Sequence, residues 1–106
     1  MPKFLVTYHG GDGMPSDPAA LQQVVAAFMG WAQSVGSAMV DPGAPLTNIK
    51  TLSSSGVSDG PAPGHVGGYT LLEADDMDTA VRLAEPHPFI KRGGSLQVSE
   101  VAAPPG

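Results

Sequence analysis

The chain has 106 residues and a mass of 10.8 kDa, which suits one small domain with a single core. Its 10 acidic and 5 scattered basic residues give a net charge of −5, so it lacks the basic stripe that binds nucleic acids. The absence of cysteine excludes disulfides, iron–sulfur clusters, thiolate zinc sites and cysteine nucleophiles. No apolar run approaches the ~18 residues of a membrane span, and no signal-peptide core follows the N-terminus, so we expect a cytoplasmic protein.

The first half of the chain predicts a strand, a helix and a second strand. Residues 3–9 are β-branched and aromatic, with apolar side chains on both faces. Asp17 can cap a helix that Pro18 begins and Gly36 ends. A second strand follows over residues 37–41 and ends at the next proline and glycine. Apolar side chains at helical spacing predict the buried stripe of the helix: Leu21, Val24, Val25, Phe28, Trp31, Ala32 and Val35.

The second half predicts a loop-rich segment between further elements. Residues 47–52 form an extended run, and the glycine-, serine- and proline-rich residues 53–68 predict a hairpin tip or a mobile loop. Residues 69–74 form a strand. The last strand is expected over residues 95–101, and residues 102–106 form a disordered tail.

A second helix is predicted between these last two strands. Either Asp75 or Asp76 caps it, and two prolines, Pro86 and Pro88, end it. Its expected buried face consists of Met77, Ala80, Val81 and Ala84.

The order of elements predicts a single α+β domain over residues 1–101. The simplest packing is a ferredoxin-like βαββαβ arrangement, an antiparallel sheet with two helices on one face and right-handed crossovers. The open sheet face then carries apolar side chains, which predicts a homodimer through that face. The alternative is a monomer whose loop 53–68 folds across the sheet.

Four short segments stand out for their order and spacing: Lys3-Phe4-Leu5-Val6-Thr7-Tyr8, Asp59-Gly60-Pro61, Gly67-Gly68-Tyr69 and Pro88-Phe89-Ile90-Lys91-Arg92-Gly93-Gly94-Ser95-Leu96-Gln97-Val98. Over residues 2–101 the chain resembles the YCII-related family, and within it the branch named for an Asp-Gly-Pro-Phe motif. The resemblance implies a ferredoxin-like fold that pairs into a dimeric α+β barrel. It also implies a protein without an assigned activity, because most members of this branch have none.

Two departures from the family pattern bear on function. Ala62 stands where the motif has its phenylalanine. Enzyme-like YCII members carry a histidine on the first helix, paired with an aspartate near the end of the second strand. Asp41 matches that aspartate, but residues 17–36 contain no histidine. The family's His–Asp chemistry therefore does not carry over directly.

His9 is the first candidate for chemistry. It ends the first strand beside a glycine-rich turn, and an imidazole can act as general acid or base when a carboxylate orients it. Asp41 ends the next strand along the chain and is the candidate for that carboxylate. The alternative for His9 is a half-solvated strand-end histidine that bonds to backbone.

Five further residues are candidates for lining a ligand pocket: Tyr8, Trp31, Asp59, His65 and His87. For Trp31 the alternative is a core position, and for His65 a solvated loop. For His87 the alternative is a cap on the carbonyls of the second helix. The spacing of the histidines favours no metal site.

Two functional hypotheses follow. The first is a homodimeric YCII-like protein that binds a small organic ligand between sheet and helices, without catalysis or as a sensor. The second is a cofactor-free acid/base enzyme of the lyase or isomerase type, in which His9 transfers the proton and Asp41 orients it. Neither needs a cofactor or a metal, and neither involves nucleic acid or a membrane.

Overall fold

The described part of the chain, residues 1–11 and 14–102 of a computed structural model, contains six strands and three α-helices. In chain order they are β1 (Lys3–Gly10), α1 (Pro18–Val35), β2 (Met39–Pro45), β3 (Lys50–Ser53), β4 (Gly56–Asp59), β5 (Gly68–Glu73), α2 (Met77–Ala84), α3 (Pro88–Lys91) and β6 (Gly94–Glu100). Residues 103–106, most of the predicted disordered tail, lie outside the described part, as do residues 12 and 13.

Four strands form the central antiparallel sheet, in the order β2-β5-β1-β6. β1 lies in the interior between β5 and β6, and α1 and α2 connect the strands. This is the ferredoxin-like α+β topology, so the predicted fold class is confirmed. No helix within the described ranges has both the length and the apolar character needed to cross a bilayer.

The core lies between one face of this sheet and the helices. Val6 of β1 and Leu72 of β5 are fully buried against Trp31 and Val35 of α1. A second cluster packs Phe4 of β1 against residues of α2 and the segment before it, namely Ala74 and Ala80. Because side chains alternate along a strand, Phe4, Val6 and Tyr8 face the helices, and the intervening residues of β1 face away.

The helix α1 begins and ends as its sequence predicts. The Asp17 carboxylate accepts a hydrogen bond from the Ala20 N–H at 3.0 Å, and Gly36 adopts a left-handed φ of 63° beyond the last turn. Of the predicted stripe, only Trp31 and Val35 are buried within the protein. The indole Nε1–H of Trp31 donates to the Leu83 carbonyl at 2.9 Å and ties α1 to α2. The stripe's N-terminal half is less buried because it covers a cavity, described below.

The predicted end of the second strand is wrong. A short 3-10 turn occupies Gly36–Ala38, and β2 then continues through Pro42 and Gly43 to Pro45. The pairing of β2 with β5 shifts register around these two residues, so they form an irregularity within the strand. Gly43 has a φ of 72°, and a Cβ there would lie 1.7 Å from the Tyr69 carbonyl oxygen. Only glycine permits this close approach of β2 to β5.

The helix α2 has a narrower buried face than predicted. Asp76 caps it by accepting from the Thr79 N–H at 2.8 Å, and Ala80 and Ala84 are buried. Met77 and Val81 are exposed, so their predicted burial is wrong. Leu83, which is half-buried, also packs against the core, so the buried face consists of Ala80, Leu83 and Ala84.

Residues 53–68 contain the second strand of a hairpin rather than loop alone. β3 and β4 pair as a separate two-stranded sheet whose tip lies at residues 54–55. Leu52 and Val57 face each other in this hairpin and are 73% and 64% exposed. The hairpin therefore does not fold across the open face of the central sheet, contrary to the monomer alternative.

Candidate functional site

A cavity of about 600 Å³ lies between the N-terminal half of α1, the end of β1, the irregular part of β2, and α3. Small-molecule sites typically measure ~300–1,000 Å³ and are mainly apolar with a few polar groups. The apolar side chains of this wall include Met14, Val24, Phe28, Pro42, Ala44 and Phe89. Size and lining are therefore those of a site for a small organic molecule.

The Phe89 ring lies in the cavity wall because Gly94, the first residue of β6, leaves room for it. A Cβ on Gly94 would lie 2.1 Å from Phe89 Cε2, so any larger residue would displace the ring. Arg92 also lines the cavity, with its guanidinium carbon 5.3 Å from the Phe89 ring centroid. Among the described lining residues Arg92 carries the one permanent charge.

His87 lies at the centre of an aromatic cluster that forms part of the cavity wall and extends into the core. Its ring centroid is 4.3 Å from that of Trp31, 4.9 Å from that of Tyr8 and 5.8 Å from that of Phe28. The residue is 5% exposed. Such tilted contacts between rings are favourable and hold each ring in one orientation.

Hydrogen bonds define the protonation of His87. Its Nδ1 accepts from the Phe89 N–H at 3.0 Å and so caps α3, and its Nε2 lies 3.1 Å from the Tyr8 hydroxyl. Because Nδ1 accepts, the ring hydrogen of the neutral form is on Nε2, which donates to Tyr8. Burial, helped by the nearby positive charge of Arg92, lowers the pKa of His87 to about 4. The ring is therefore neutral at neutral pH.

The polar chain continues from Tyr8 into the sheet. The Tyr8 hydroxyl bonds to Thr70 Oγ1, and the Thr70 hydroxyl donates to the Pro42 carbonyl at 2.9 Å. Thr70 is fully buried on β5. Burial raises the pKa of Tyr8, and the hydrogen bond with Thr70 opposes that rise. Tyr8 is accordingly a neutral phenol, and hydrogen bonds with His87 and Thr70 hold its hydroxyl group in place.

The structure does not bring His9 and Asp41 together. His9 is on the open face of β1, where its Nε2 lies 2.8 Å from Thr7 Oγ1. The Asp41 carboxylate accepts from the Gly43 N–H at 2.9 Å, within its own strand. β1 and β2 are consecutive strands in the chain, but they are not neighbours in the sheet, because β5 lies between them.

The five predicted pocket residues occupy three kinds of position. Tyr8, His65 and His87 line the cavity. Trp31 lies behind His87 as part of the core, and Asp59 is in the exposed hairpin, paired with Lys50. The segment carrying His65 is held at the cavity by the Gly67 N–H, which donates to the Tyr8 carbonyl at 2.7 Å.

Sequence reasoning missed α3 and the two cavity residues that it positions, Phe89 and Arg92. The alternative role considered for His87 is wrong: the ring caps the start of α3, not the carbonyls of α2. Pro88 directly after a histidine was the available signal, because proline favours the first position of a helix. Within residues 1–11 and 14–102, no group of three or more His, Asp or Glu residues could hold a metal ion.

Comparison with known proteins gives little beyond this geometry. No protein-family model and no curated protein matches the chain. Among solved structures, the chain is similar to 5-chloro-2-hydroxyhydroquinone dehydrochlorinase from Burkholderia phenoliruptrix, in complex with 2,5-dihydroxybenzoquinone. The identity is 20%, the alignment covers 90% of each chain and the TM-score is 0.48. The fold assignment therefore rests on this chain's own strand order, and the resemblance to the YCII-related family stays a prediction.

Proposed function

We propose that the protein binds a small, largely apolar organic molecule in the cavity between the sheet and α1, without catalysing a reaction on it. The observation that carries this proposal is the composition of the wall. Aromatic and aliphatic side chains surround about 600 Å³, and Tyr8, oriented by His87, supplies a hydrogen-bonding oxygen in that wall. A wall of this kind gains affinity from apolar burial and selectivity from its few polar atoms.

The pKa directions favour binding over acid/base catalysis. A general base works best when its pKa lies near the operating pH. Burial moves the pKa of His87 down to about 4 and raises the pKa of Tyr8, so both move away from neutrality. Both groups stay in their neutral forms, and the pair offers one fixed hydrogen-bonding atom, the Tyr8 oxygen, rather than a mobile proton.

The acid/base alternative built on His9 and Asp41 has less support. The two side chains bond to different neighbours, Thr7 and Gly43, with β5 between their strands. His9 also faces away from the cavity. An enzyme of the proposed lyase or isomerase type would need these two groups at one substrate.

Binding is tested with 1-naphthol as the probe, followed by chemical-shift changes of backbone amides. We expect saturable changes at residues of β1 and α3 that line the cavity. Ala27 lines the cavity on α1, and Ala26 beside it does not. Ala27→Phe should weaken binding about 10-fold or more, equivalent to about 1.4 kcal/mol, by filling the site. Ala26→Phe is the matched control. Equal binding by both variants, or no saturable binding by the wild type, would contradict the proposal.

We further propose that a second copy of the chain covers the open sheet face. Leu5 pairs with Leu71 across β1 and β5, so two apolar side chains adjoin on that face. Sedimentation should give twice the chain mass, and Leu71→Arg should give the monomer. Val57→Arg in the exposed hairpin is the control and should leave the dimer intact. A wild-type monomer would overturn this part.

A further inference from the structure

We propose that the cavity selects ligands that present a hydroxyl group as a hydrogen-bond donor, because the Tyr8 oxygen offers acceptor capacity but no hydrogen. This inference rests on the proposed function and adds the ligand class. Phenols and other aromatic alcohols are the class that fits both the polar atom and the wall.

The direction of the chain of hydrogen bonds follows from its two ends. At one end, the Phe89 N–H donates to His87 Nδ1, so Nε2 carries the ring hydrogen and donates to the Tyr8 oxygen. At the other end, the Pro42 carbonyl can only accept, so the Thr70 hydrogen is used there.

The bonds of His87 and Pro42 fix the direction of the hydrogen bond between Tyr8 and Thr70. Thr70 Oγ1 has given its own hydrogen to Pro42, so in its bond with Tyr8 it accepts. The Tyr8 hydrogen therefore points into the sheet, away from the cavity. The phenolic oxygen, on a residue that lines the cavity, keeps only the ability to accept.

A ligand that can only accept a hydrogen bond from Tyr8 binds less favourably at this position. To donate to a ketone, an ether or an anion, Tyr8 would have to turn its hydrogen away from Thr70. Thr70 Oγ1 is fully buried and would lose that donor. Leaving a buried polar atom without its partner reduces affinity on the order of 10-fold.

The aromatic side chains of the cavity wall favour a ligand whose remaining part is a flat ring. The Tyr8 ring lies 5.5 Å from the Phe89 ring and Phe28 lines the same cavity, so a flat ring can contact aromatic faces there. A ring that carries a hydroxyl group can then place its O–H at the Tyr8 oxygen. The same molecule as a phenolate has no hydrogen to donate.

The test compares 1-naphthol with 1-methoxynaphthalene, which has the same ring but no donor, by calorimetry at neutral pH. We expect the dissociation constant of 1-naphthol to be lower by about 10-fold. Thr70→Val removes the acceptor of the Tyr8 hydrogen, so this preference should disappear or reverse. Thr51→Val is the matched control, because Thr51 Oγ1 donates to the Gly60 carbonyl at 2.9 Å in the exposed hairpin.

Tyr8→Phe is a second variant in case Thr70→Val does not fold. It should remove the advantage of 1-naphthol and leave the affinity for 1-methoxynaphthalene almost unchanged. Equal affinities of the wild type for both probes would overturn the donor preference while leaving the binding function in place. Failure of both probes to bind would instead overturn the proposed function itself.

Discussion

The two faces of the central sheet place neighbouring residues in opposite environments. Tyr8 points to the covered face, where it bonds to His87 and Thr70 within a network of buried side chains. The next residue, His9, points to the open face and bonds to Thr7 two positions away. A single step along β1 thus separates a buried polar chain beside a cavity from a local bond on the open side of the sheet.

Burial decides the role of the His87 imidazole. His87 lies under α1 and beside α3, and its pKa falls because charge is costly in that environment. Its Nδ1 serves as a helix cap and its Nε2 as a donor. These roles use the neutral ring.

The largest expected contrast between the faces comes from two adjacent leucines of β5. Leu72 is fully buried beneath the helices, and Leu71 is on the open face. Leu72→Ala should lower the free energy of unfolding by about 2–5 kcal/mol at every protein concentration, through lost burial and a cavity. Chemical denaturation monitored by circular dichroism measures this change.

Leu71→Ala is the matched variant, and its expected cost is smaller. If a second copy covers the open face, that cost should depend on protein concentration, because association stabilises the folded chain by mass action. Equal, concentration-independent losses for the two leucines would break the distinction between a core face and an interface.

A pH-dependent effect is expected at His87, on the covered face. In the unfolded chain His87 takes up a proton near pH 6.5, but in the folded protein only near pH 4. Between these values the unfolded state binds more protons, so stability is lost as the pH falls from about 6.5 to about 4. The contribution is about 3 kcal/mol. His87→Asn keeps a capping oxygen for α3 and should remove this part of the pH dependence.

The control for this prediction is His9→Asn on the open face. Urea denaturation at several pH values is measured for both variants and the wild type. The curve of His87→Asn should be flatter than that of the wild type between about pH 6.5 and about pH 4. A His87→Asn curve parallel to that of the wild type would contradict the assigned environment of His87.

The smallest expected effect concerns the hairpin, which neither face contacts closely. Leu52 is apolar, but 73% of it is exposed. Leu52→Ser should change the free energy of unfolding by less than about 0.5 kcal/mol, as surface substitutions usually do. A larger loss in thermal denaturation would indicate that the hairpin packs against another surface in solution.

The sequence was a good guide to local structure. The Asp17 cap, Pro18 and Gly36 place α1 at its observed ends, and the alternation of β1 separates its two faces correctly. These features depend on neighbours in the chain, for which backbone preferences and periodicity are sufficient. The order of elements then predicted the ferredoxin-like sheet.

The candidate site was harder to predict because its residues are distant in the chain. Tyr8 and His87 are 79 positions apart, and Tyr8 and Thr70 are 62 apart. His9 and Asp41 looked like a pair because their strands are consecutive in the sequence, but the sheet places β5 between them. Proline and glycine predicted the end of β2, yet β2 pairs with β5 on both sides of Pro42 and Gly43, and both residues line the cavity.

The most direct test of the account is the protonation state of His87 in the intact protein. Nitrogen-15 NMR of the imidazole ring, recorded from neutral pH down through pH 4, reports the tautomer and the pKa together. We expect a neutral ring with its hydrogen on Nε2, which becomes protonated only near pH 4. A ring that carries its hydrogen on Nδ1, or that is protonated at neutral pH, would contradict the hydrogen-bond chain and the ligand class inferred from it.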